Sequence, residues 1–239
     1  MRKLLLVAAA LGALIGQDDA HAMSYGLTAI EDGRCTADCP LAIVARGRID
    51  EQESERLLAF LQRVGSNGMV PRNFIVSSPG GDLKGALVLG TYLRQLGLRT
   101  VVGSIAPSPS GDRSVLMPGI CGSACVFVLM AGVDRHVLPG SQVAVHSPQV
   151  IVSGQGQSFV LEGALSRRVI RRVEPVMHSY ARQMGVDPAI VSLANRVPHE
   201  TRHTLTPSEL SRFRLVTRPA PQRATRTATW RPQRRQGGR

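Results

Sequence analysis

The chain is poor in aromatic side chains, with one Trp, three Tyr and five Phe in 239 residues. Small aliphatic residues must therefore fill whatever core it builds. Acids are also scarce: 17 Asp and Glu stand against 29 Lys and Arg, for a formal net charge of +12. Beyond the N-terminus no stretch approaches the ~18 uninterrupted apolar residues that a transmembrane helix requires. Cysteine is limited to two C-x3-C pairs, Cys35 with Cys39 and Cys121 with Cys125. That spacing departs from the C-x2-C knuckles of zinc sites, so no metal is expected. Disulfides are the favoured reading, with three pairings open.

The N-terminus specifies a compartment. Met1, Arg2 and Lys3 are followed by an apolar run over residues 4–15 and by Ala20-His21-Ala22, a small-x-small cleavage pattern. This reads as a signal peptide cut after Ala22, giving a soluble periplasmic or secreted product; the run is too short for a retained anchor. Residues 217–239 carry seven arginines and no acid. Such a segment cannot bury a core and is expected to be disordered. It is either a solvated tail or an arm for polyanions, with Trp230 inside it. The organisation expected is a signal peptide (1–22), a cysteine-containing segment (23–40), one α/β domain (41–216) and the tail (217–239).

Apolar periodicity predicts strands at 41–49, 73–77 and 98–103, alternating with helices that start near Asp50 and Leu83. Strand, helix, strand, helix, strand implies a parallel sheet with right-handed crossovers. Residues 104–120 read as a Pro-, Ser- and Gly-rich loop, and 121–131 as a buried helix. Short strands at 136–138 and 142–146 flank Pro139-Gly140. Residues 153–158 read as an exposed arm before a long helix at 160–184, which Pro175 should kink. Asp187-Pro188 opens another helix, and a last one lies at 207–212.

Two turns carry the chemistry. Ser77-Ser78-Pro79-Gly80-Gly81 follows a strand and opens a helix, at the strand end where open sheets bind ligands. Glycine there lets backbone N–H groups approach a developing oxyanion, with Gly81 N–H as one donor. Ser123 stands between Gly122 and Ala124, its hydroxyl uncovered, and the Ala124 N–H is a second donor. A nucleophile with two amide donors is the arrangement of acyl transfer. A serine needs a base, and His146, at the end of its strand, is the candidate. His136, His178, His199 and His203 fit less well.

Ser78-Pro79-Gly80-Gly81, Gly122-Ser123-Ala124, Ala131-Gly132, Leu138-Pro139-Gly140-Ser141 and Val145-His146-Ser147-Pro148, taken in order, resemble the Clp protease proteolytic subunit. So does the closing segment Leu205-Thr206-Pro207-Ser208-Glu209-Leu210 with Leu215-Val216. The nearer similarity is to exported relatives with a C-x-S-A-C motif. The resemblance spans about residues 41–216. It implies a ClpP/crotonase-like spiral of ββα units, Ser123 as nucleophile, His146 as base, and oxyanion binding around Gly80, Gly81 and Ala124. It also implies a ring-shaped homo-oligomer joined through residues 149–184. No aspartate stands near Pro198, where the family's would fall; Glu200 and Asn195 are the polar candidates, Glu200 being the one chosen. The loop at 104–120 is longer than the family's.

The expected function is that of an exported serine hydrolase, a peptidase acting on peptides or proteins without a cofactor. Outside the cytoplasm there is no ATP, so no ATPase partner is expected. The alternative is a non-catalytic protein that binds peptides or partners. A crotonase-like acyl-thioester enzyme shares only the two-donor oxyanion site and needs coenzyme A.

Overall fold

The computed structural model describes residues 22–31, 35, 39–64, 71–109, 111–154 and 157–217. All but Ala22 of the expected signal peptide and all but Thr217 of the arginine-rich tail lie outside these residues. Among the described residues no helix is long and apolar enough to cross a membrane.

The parallel core of the fold is β2 (Leu41–Arg46), β3 (Asn73–Ser77), β4 (Arg99–Val102) and β8 (Arg135–Val137), each paired in register with the next. Crossovers pass through α1 (Glu53–Val64) and α2 (Leu83–Gln95). The alternation of side chains along a strand explains both layers. Phe74 and Val76 of β3 point into the main core with Ile43, Leu57 and Leu89. Ile75 points to the other face, with Ile30 and Ala42. A strand buried on both faces reads as a continuous apolar run, as β3 does. On α2, Ala86, Leu89, Gly90 and Leu93 are buried at helical spacing. Asp82 caps this helix, accepting from Gly85 N–H.

Two parts of the sheet were not expected. Ser24–Glu31 forms β1, antiparallel to β2 over six residue pairs, so the segment before Leu41 belongs to the sheet. The stretch 104–120 is not a loop. It contains β5 (Ser104–Pro107), β6 (Ser114–Met117) and the start of β7 (Ile120–Gly122). β5 and β6 extend the sheet to seven strands, in the order β5-β6-β1-β2-β3-β4-β8. Their Ile105 and Leu116 pack against Ile75, Val44 and Val101, covering an apolar face that would otherwise meet water.

The helix expected at 121–131 is shorter, α3 (Cys125–Ala131), because Cys121 and Gly122 are spent in β7. β7 pairs parallel to β9 (Gln142–Val145), which pairs antiparallel to β12 (His203–Thr204). The expected arm is a hairpin of β10 (Val150–Gly154) and β11 (Gln157–Leu161). It leads into α4 (Gly163–Gln183), which contains Pro175. Asp187 accepts from Ala189 N–H at 2.9 Å in the turn that leads into α5 (Ala189–Arg196), whose N-cap is Pro188. Thr206 and Glu209 close a capping box on α6 (Pro207–Arg212).

The C-terminal end of the domain is held by a buried cation. Arg135, 5% exposed, donates to the carbonyls of Gly132, Met184 and Arg214. Burial lowers its pKa to about 10. Thr217 N–H donates to Arg135 O, fixing where the tail leaves the domain.

Candidate active site

Beyond β3, the Ser78 peptide sits between strands: its N–H donates to Ile120 O and its carbonyl accepts from Gly122 N–H. These bonds press the Pro-Gly-Gly turn against the turn that carries Ser123. A Cβ on Gly80 would lie 2.5 Å from Gly122 O and 2.8 Å from Ser123 Cβ. A Cβ on Gly81 would lie 2.0 Å from Ile49 O. Both residues also have positive φ, 107° and 144°. Only glycine meets both demands.

Ser123 has φ 53°, one of two non-glycine residues in the left-handed region among those described. A serine pays about 1–2 kcal/mol for this. The turn is held by Ser123 N–H donating to Ala144 O at 2.9 Å and by the Cys121–Cys125 disulfide, whose residues are fully buried. Cys35 pairs with Cys39, which settles the connectivity. Among the described residues, neither the Gly81 nor the Ala124 N–H makes a hydrogen bond. Both residues line a cavity of about 760 Å³, together with Ser123 and His146. Phe127, Met130, Val173, Met177 and Ile190 form its apolar wall.

His146 follows β9. Its Nδ1 lies 2.9 Å from the Ser147 carbonyl oxygen. A carbonyl only accepts, so Nδ1 carries the proton and Nε2 is left with its lone pair, the form a general base requires. Burial lowers the pKa of His146; His199 and Arg202 lower it further, while the Ser147 carbonyl opposes them. Among the described residues no hydrogen bond joins Ser123 Oγ to His146; the two face the same cavity.

The third position differs from expectation. Glu200 is exposed, does not line the cavity and makes no ion pair with His146. Residues 198–201 form a turn, with Thr201 N–H donating to Pro198 O, which points Glu200 outward. Asn195 does line the cavity, and both polar atoms of its amide are buried without a hydrogen-bond partner. The residue beside His146 is His199. The two ring centroids are 4.6 Å apart and nearly perpendicular. His199 Nδ1 lies 3.2 Å from the same Ser147 oxygen. The β9–β12 pairing and the Ser147 N–H to Val197 O bond bring these segments together. No local pattern marks His199; only the strand character of 203–204, opposite β9, hints at it.

No protein-family model matches the chain, and no curated protein matches it. Among solved structures it is similar to the membrane-bound stomatin-specific protease 1510-N, in a serine-to-alanine mutant. That likeness has a TM-score of 0.50 at 13% identity and covers 74% of this chain and 76% of the other. It establishes the architecture: the chain has a mixed α/β, ClpP-like fold with a largely parallel sheet.

Proposed function

We propose that the protein is an exported serine hydrolase that cleaves peptide bonds. One observation carries the reading: Ser123, held in a left-handed turn, faces a cavity beside two amide N–H groups that have no other partner among the described residues. Ser123 Oγ attacks the substrate carbonyl carbon as His146 Nε2 takes its proton. The oxyanion is held by Gly81 and Ala124 N–H. The tetrahedral adduct collapses, His146 returns the proton to the leaving amine, and an acyl-Ser123 remains. Water then attacks the ester with His146 again as base, releasing the acid.

The Ser147 carbonyl fixes the tautomer of His146, and no carboxylate is required for that role. Asn195 offers its buried amide to the bound chain, and the apolar wall accepts an aliphatic or aromatic side chain of the substrate. The two disulfides fit an oxidising compartment. Exposed Ile151, Phe159 and Val160 on the hairpin, with Leu165 and Val176 on α4, support self-association through these two elements.

A fluorophosphonate probe tests the chemistry. It labels the oxidised protein at Ser123 and spares Ser123→Ala. A folded, oxidised protein that resists the probe throughout pH 6 to 9 contradicts the proposal. That no hydrogen bond joins Ser123 to His146 among the described residues favours a second reading, a peptide-binding protein without turnover. In that case Ser123→Ala binds peptides as wild type does and no cleavage is detected.

A further inference from the structure

We propose that His199 is a positioning residue for His146: the two imidazoles hang from one carbonyl oxygen, and this pairing holds His146 with Nε2 free. The inference rests on the hydrolase reading for its catalytic meaning, but its geometry stands alone. Both Nδ1 atoms reach Ser147 O, at 2.9 and 3.2 Å, so that one oxygen uses both lone pairs. The rings pack edge to face, which fixes the rotation of His146 about its terminal torsion. Both residues line the cavity.

The surroundings leave this pair to itself. Arg202 follows on the same segment as His199 and lines the cavity, as does Arg48 across it. The acids of the lining are engaged elsewhere: Asp50 with Arg56, Glu51 with Lys84, and Asp82 with Gly85 N–H. Asn195 is neutral, and Glu200 is exposed. No described carboxylate pairs with either imidazole; Glu174 and Glu209 pair with His178 and His203. A positive charge on His199 therefore opposes protonation of His146.

Two measurements on the full exported chain test this. Histidine NMR on Ser123→Ala reads the pair without any turnover. Both rings should be Nδ1–H tautomers at pH 7, and the His146 midpoint should rise in His199→Phe and in His199→Asn. Fluorophosphonate labelling of Ser123 should then slow about tenfold at pH 8 in His199→Phe, as misorientation of a catalytic group does. His199→Asn, which keeps a donor for Ser147 O, should recover most of that loss. In both variants the acidic limb should move up, so that labelling falls further at pH 5.5 than at pH 8. A His146 midpoint and tautomer unchanged in both variants overturn the pairing. An altered titration with no labelling of wild type upholds the pairing and defeats the hydrolase reading.

Discussion

Replacing both Cys121 and Cys125 by alanine tests how Ser123 is held. The bridge closes a ring of five residues around a serine at φ 53°. Loop-closure entropy for so short a ring gives about 2 kcal/mol of stabilisation. In a domain of this size that corresponds to a fall in Tm of about 4–8 °C. The local effect is larger in consequence. The left-handed conformation costs about 1–2 kcal/mol. If the open chain relaxes out of it, the productive turn loses about 5- to 30-fold in population. Ser123 N–H to Ala144 O is then the main remaining restraint. Labelling should fall by a comparable factor, both in the double variant and in wild type reduced by a thiol. Reduction alone distinguishes loss of the bridge from the void that two alanines leave. Labelling at the wild-type rate in both samples, with the fold intact, would refute the view that the bridge holds the nucleophile.

Five further outcomes are expected. Gly80→Ala forces a methyl group onto Gly122 O and Ser123 Cβ, and labelling should be abolished while circular dichroism stays native. The acidic limb of labelling against pH should lie below the ordinary histidine value of about 6.5, because His146 stays neutral to lower pH than a solvated imidazole. A limb at or above that value contradicts the environment described. Arg135→Met strands the carbonyls of Gly132, Met184 and Arg214, and urea unfolding should show a loss of about 2–4 kcal/mol. Glu200→Gln should leave the labelling rate unchanged, whereas Asn195→Leu should slow a peptidyl probe about fivefold, the loss of about one hydrogen bond.

The sequence was most legible where local chemistry decides structure. The strand at Asn73–Ser77, the Pro-Gly-Gly turn and the helix starts near Leu83 and Asp187 follow from patterns of a few residues, as does the short helix at Pro207–Arg212. Ser123, singled out by its glycine-flanked turn, and His146, by its strand end, line one cavity. What escaped was non-local. β5, β6 and β7 have three or four residues each, too few to show a period among Pro, Ser and Gly. β1 gains its place by pairing with β2. His199 reaches His146 through contacts spanning some fifty positions, which no window of sequence contains. Glu200 was chosen for its charge, but the turn at 198–201 decides its direction.

The bond from Ser123 N–H to Ala144 O has a consequence for where the chain can change in length. The Ser123 hydroxyl and the His146 imidazole directly follow neighbouring strands, β7 and β9, locked residue against residue. Insertions between them, along the connection after Ala131 or around Pro139-Gly140, leave that lock untouched. The rims of the cavity can therefore change in length, while a shift of one residue between the two strands would part Ser123 from His146.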